Sequence, residues 1–244
     1  ALNGKVTDSE VARLANEAAA ERASVQVRVP EARGGVPAKQ LEVYLGFAAY
    51  SITSSVIICV GLVLAALGRQ NVAARLGASP VSEARRGGEA LLSCVVLTLA
   101  VCALSSCVGL IGLRDAASQI PAPQVALAFL ANAALALTPL SVAFLCSQLG
   151  ANEQVINAVG NILGMVMSFL GGAWIPLSFM GAGVAAAAHF APTFWTGRAI
   201  SAVLEAPALT GAVMAEYATA VGVAVLIAVA IGACGLALGR ARRR

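Results

Sequence analysis

Few side chains in this sequence are of types that could do chemistry, and most lie in apolar surroundings. The six cysteines, Cys59, Cys94, Cys102, Cys107, Cys146 and Cys234, all fall in apolar runs, and none forms a CxxC pair. A zinc site needs Cys or His ligands at short spacing, and the only histidine is His189. The cysteines therefore read as small packing residues in helices. His189, beside Phe190, Pro192, Phe194, Trp195 and Arg198, reads as part of a membrane-surface cluster. No GxxxxGKS/T loop, HExxH pair or GxSxG elbow occurs. The chain is thus expected to hold no metal or cofactor and to be no enzyme by itself. Ser51, Ser54 and Ser55 in one apolar run, and Asn157 and Asn161 in another, are placed to line a polar path. The competing use of such groups is bonding to their own helix backbone.

One long polar interval lies between apolar runs. Residues 68–90, GRQNVAARLGASPVSEARRGGEA, hold Arg69, Arg75, Arg85 and Arg86 with Glu83 and Glu89. Arginine clusters between spans stay on the cytoplasmic side, so this loop sets the orientation. It is larger than a hairpin requires. It has room for a short helix over 71–76, a turn at Ser79-Pro80 and a restart near Ser82. Either it is a solvated basic linker or something on the cytoplasmic side touches it.

The elements that position these residues are membrane spans. The chain has 244 residues, of which 59% are hydrophobic and 11% charged. Soluble domains carry about 25% charged residues. The net charge of +4 comes from the loop and from Arg240, Arg242, Arg243 and Arg244. Without aromatic–basic interleaving this is a topology and lipid-headgroup signal, not a nucleic-acid footprint.

Expected spans are about 41–67, 89–113, 124–149, 155–175 and 213–238. Tyr44 and Tyr50 are expected at the membrane interface, and Pro139 should kink the third span. The apolar run from Val155 to Ala191 is too long for one crossing. Gly171, Gly172 and Pro176 break it, and short outer helices re-enter over 178–204. Gly160, Gly164, Ser168 and Gly172 recur every four residues as a small-residue ridge. Such ridges let helices approach closely, in the same chain or in a second copy.

Residues 1–40 read as the end of an extracytoplasmic domain plus a linker. Thr7 to Glu10 forms a capping box, and Val25, Val27 and Val29 alternate as in a strand. The chain opens on Ala1, and a preceding span is expected. The fold class is therefore an all-α polytopic membrane protein with five transmembrane helices, short re-entrant outer helices and a small α/β fragment outside.

Two stretches carry a resemblance. ARLGASPVSEARRGGEALL, residues 74–92, and SFLGGAWIPLSFM with APTFWTGRAI, within 168–200, occur in order. They resemble the membrane subunit of ABC-2 type ABC exporters. The first is similar to that family's cytoplasmic R-L-x-x-S-P-V-S segment. The second is similar to its GG-x-x-x-P turn, outer re-entrant helices and P-x-x-W stretch, here Gly171, Gly172, Pro176, Pro192 and Trp195.

The resemblance implies a permease in the plasma membrane with a cytoplasmic C-terminus. It also implies a second permease subunit, in a homo- or heterodimer, and a separate ABC ATPase that holds ATP and Mg. Arg75, Ser79, Pro80, Glu83, Arg85 and Arg86 would then form the loop coupled to the ATPase. Rival readings are a secondary transporter or channel, and a non-transporting scaffold subunit. The first predicts an ionisable group near the bilayer midplane, and the middle third of the expected spans has no Asp, Glu, Lys or Arg.

Overall fold

The computed structural model describes residues 35–78, 82–175 and 179–242. The capping box and strand expected near the start, and Ser79, Pro80 and Pro176, lie outside the described residues. All regular structure among the described residues is helical. Helix α1 is Gly35–Gly68, α2 is Gln70–Gly77, α3 is Glu83–Gly112 and α4 is Arg114–Ala117. They are followed by α5, Ala122–Leu135, α6, Leu137–Gln148, and α7, Glu153–Leu170. The last three are α8, Ala182–Ala188, α9, Pro192–Leu204, and α10, Gly211–Arg242.

Five segments are long and apolar enough to cross a membrane: α1, α3, α5 with α6, α7 and α10. This is a multi-pass membrane protein. The 34 residues of α1 extend about 51 Å at 1.5 Å each, against a hydrocarbon core of about 30 Å. Its ends therefore project into headgroups and water. Large apolar side chains point outward along α3, among them Leu92, Leu99, Leu104 and Ile111. Lipid tails solvate such a surface as well as other helices do.

Helix ends follow local chemistry. α3 begins at Glu83, at the restart expected near Ser82 and ahead of the span expected from 89, because the Ser82 side chain caps it by accepting from the Arg85 amide at 3.4 Å. Pro139 lacks an amide hydrogen and crowds the carbonyl four residues back. The third span accordingly breaks at Ala136 and continues as α6. The fourth span stops at Leu170 rather than 175. Gly172 adopts φ +77°, a left-handed conformation that glycine takes without strain. The amides of Gly172 and Ala173 then bond back to Phe169 O and Ser168 O at 3.0 and 3.2 Å, which satisfies the last carbonyls of the helix. Gly150, at φ +71°, closes α6 in the same way before Asn152 caps α7.

α1 is the centre of the bundle, packed against α3, α6, α7 and α9. Leu41 and Leu45 are fully buried against Ala128, Ala199, Val203 and Tyr217 at one end. Ile52, Val56 and Val60 pack with Cys94, Cys102 and Ala143 in the middle. Tyr44 and Tyr50, expected at the interface, both pack within the bundle. The Tyr44 ring lies over Gly109, where a Cβ would come within 2.3 Å of it, and its hydroxyl donates to Ser105 O at 2.6 Å. Tyr50 lies edge-on to Trp174.

Candidate functional site

Three features could serve transport: the α1–α7 seam, the end that carries the arginines, and a cavity at the opposite end. At the seam, α7 presents its small-residue ridge to α1. A Cβ on Gly160 would meet Ile58 Cγ1 at 2.6 Å, and one on Gly164 would meet Ser54 Cβ at 3.3 Å and Tyr50 Cδ2 at 3.4 Å. Ser168 is 1% exposed and accepts from Trp174 Nε1 at 2.9 Å. Gly171 sits against Thr193 of α9, where a Cβ would be 2.9 Å from Thr193 Cβ. Gly172 forms the turn. The ridge thus packs against α1, and the turn after it against α9, of the same chain. Tyr50, Ser54 and Ile58 occupy the space that a partner's helix would need.

Of the candidate path residues, the structure joins Ser54 and Asn161. Ser54 Oγ donates to Asn161 Oδ1 at 3.5 Å, a long bond. Asn161 Nδ2 donates to Asn157 O at 2.9 Å, and Asn157 Nδ2 to Glu153 O at 2.8 Å. The amides therefore form a ladder down the exposed face of α7. Ser51 is exposed and Ser55 half-buried, and neither is brought to this ladder.

At the arginine end, α2 presents Arg75 to solvent. Arg85 pairs with Glu89 at 2.9 Å on the first turns of α3, and Arg86 is half-buried beside it. Glu83 opens α3. Sequence reasoning missed one connection: the Arg69 guanidinium, at the start of the loop, is ion-paired with Glu153 at the start of α7. The partners are 84 positions apart, and no local pattern announces them. The same end carries Arg240, because α10 packs its Gly239 on Gln148.

The opposite end holds a cavity of about 380 Å³ between α1, α5, α9 and the turn after α7. Its wall includes Lys39, Glu42, Asn132, Ser168, Arg198 and Ser201. Lys39 Nζ donates to Glu42 Oε2 at 2.8 Å, and Ser201 Oγ to Glu42 Oε1 at 2.7 Å. Arg198 pairs with Glu216 at 3.0 Å. Asn132, the one asparagine inside the third span, was visible in the sequence but had no assigned role. Pro192, buried, starts α9, and Trp195 Nε1 donates to His189 O at 2.7 Å. The His189 ring packs 4.5 Å from Phe194. Among the described residues no three His, Cys, Asp or Glu side chains gather to hold a metal ion.

The family model for ABC-2 family transporter proteins matches residues 2–237. The chain belongs to the ABC-2 transporter family. No curated protein matches it, and neither does any solved structure. As an ABC-2 permease it contributes the membrane domain of a transporter. The short helices α8 and α9 lie between the end of α7 and the start of α10.

Proposed function

We propose that this ABC-2 permease is the membrane subunit of an ATP-driven exporter, coupled through residues 68–90 to a separate ABC ATPase. ATP and Mg belong to that ATPase, and this chain is not itself an enzyme. A second permease subunit, identical or not, completes the path in the plasma membrane. The observation that carries the reading is the exposed, cationic helix α2, tied by Arg69 to Glu153 at the start of α7. α7 in turn packs along α1 and reaches the turn at Gly171 and Gly172. A displacement of α2 by a closing ATPase thus has a continuous solid route to the far end of the bundle.

The test is purification of the tagged chain from its native membranes. It should bring down, in comparable amount, a subunit with a GxxxxGKS/T motif and ATP hydrolysis. Recovery of the chain with no such subunit removes the reading.

Orientation follows the positive-inside rule. Arg69, Arg75, Arg85, Arg86 and Arg240 share one end, which we place in the cytoplasm with the C-terminus, leaving residues 1–40 outside. In a cysteine-free background, Ala117→Cys should react with an impermeant thiol reagent in intact cells. Ala78→Cys should react only after permeabilisation. The reverse pattern would invert the topology and move residues 68–90 away from any cytoplasmic ATPase.

A further inference from the structure

We propose that the cavity at the α9 end is a binding site for a small polar molecule that carries one anionic group and one ammonium or hydroxyl donor. The phosphoethanolamine unit is the simplest example, whether free or as a lipid headgroup. The inference goes beyond export and does not depend on ATP coupling.

Its size comes first. About 380 Å³ lies within the range of small-ligand pockets, roughly 300–1,000 Å³. Depth comes second. The wall runs along α1 from Lys39 to Ala49, about 15 Å of helix, so the cavity reaches well below the headgroups.

Charge selects the ligand. Two cations, Lys39 and Arg198, and one carboxylate, Glu42, line the wall. The Lys39 and Arg198 side chains are 55% and 52% exposed, so each can turn from its present partner to an anion at the mouth. Glu42, fixed by Ser201, is left as the acceptor for a donor group.

Deeper, Asn132 lines the wall, is 3% exposed, and its closed-off Oδ1 has no hydrogen-bond partner among the described residues. An orphaned acceptor in the membrane interior is costly because no bulk water reaches it. Turning that oxygen toward the cavity would let a ligand donor relieve the cost. Val43 of the cavity wall and Phe47 one turn further along α1, 46% and 44% exposed, offer an apolar surface on which acyl chains would lie. A buried water bridging the same groups is the competing occupant.

The full-length chain, with whatever subunits copurify, is placed in nanodiscs free of ethanolamine lipid. Trp174 reports on the site because its indole bonds Ser168 on the cavity wall. Trp195→Phe leaves it as the sole tryptophan of these 244 residues, and a Trp174→Phe, Trp195→Phe double variant gives the background from any other subunit. Added phosphoethanolamine should shift Trp174 emission saturably. Asn132→Leu should weaken that shift about tenfold, the effect of losing one good hydrogen bond. Lys39→Ala, on the exposed rim, should weaken it similarly and serves if Asn132→Leu does not fold. Phosphocholine, which has no N–H donor, should bind more weakly than phosphoethanolamine.

A response only when phosphatidylethanolamine is built into the nanodisc, and lost in the variants, supports the site with a lipid source. No saturable response to either form overturns the proposal, and so does a response unchanged in both variants or equal for phosphocholine.

Discussion

Replacing Arg75 and Glu83 together by alanine is expected to leave the permease inserted and folded while ATP hydrolysis and export fall together, by about 30-fold or more. Truncating one member of a charge pair in a protein interface costs about 2–5 kcal/mol, and each 1.4 kcal/mol is about tenfold. Arg75 is exposed on α2, so its removal leaves the bundle intact. Glu83 opens α3, whose cap is the Ser82 side chain.

The measurement is ATP hydrolysis by the reconstituted complex beside transport in the same vesicles, with the amount of bound ATPase as a third reading. If all three stay at the unmutated level, the arginine loop only sets topology. Glu153→Gln provides the internal comparison. The Arg69–Glu153 pair is more than half exposed on both sides, and such pairs contribute about 0–1 kcal/mol to stability. Glu153→Gln should therefore spare folding and ATPase binding, and lower only the coupling of hydrolysis to transport. A variant that instead loses its ATPase would place Glu153 at the docking surface itself.

Gly160→Leu is expected to destabilise the bundle by at least about 1–3 kcal/mol, the usual range for overpacking a close-packed interior. Even the first added carbon would lie 2.6 Å from Ile58 Cγ1 and 3.3 Å from the Ser54 carbonyl oxygen. The isoleucine has some freedom, but the backbone oxygen does not. Gly164→Ala is the mild counterpart, because its Cβ would sit 3.3 Å from Ser54 Cβ and needs only a small shift.

Thermal unfolding in detergent should rank wild type, Gly164→Ala and Gly160→Leu in that order of decreasing stability. Adding Ile58→Ala should return part of the loss in Gly160→Leu. That non-additivity is the mark of residues in contact. Because α1 and α7 belong to one chain, the loss should not depend on protein concentration. A purely concentration-dependent loss, with the isolated chain unaffected, would return the ridge to a dimer face.

Much of the architecture was legible because it is written locally. Five crossings follow from apolar length, and the division of the third span follows from what Pro139 lacks. The turn after α7 follows from Gly171 and Gly172, the restart at Glu83 from a serine cap, and the family resemblance from short ordered motifs. None of these depends on which helix lies beside which.

What only the tertiary structure decided is which face of each helix meets a neighbour. α1 and α10 gather their polar residues on no single face, and a helix without a polar face carries no stripe to say how it is rotated. Nothing in the sequence therefore shows that the Tyr44 hydroxyl meets Ser105 O. The ridge at Gly160 and Gly164 could be read as a dimer face until Tyr50, Ser54 and Ile58 were seen to fill it. The pairs Arg69 with Glu153 and Ser201 with Glu42 lie 84 and 159 positions apart. Asn132 acquires meaning only once α1 and α9 enclose a cavity beside it. Rotation and register between spans come from packing across the bundle, and spacing along a single chain holds no record of them.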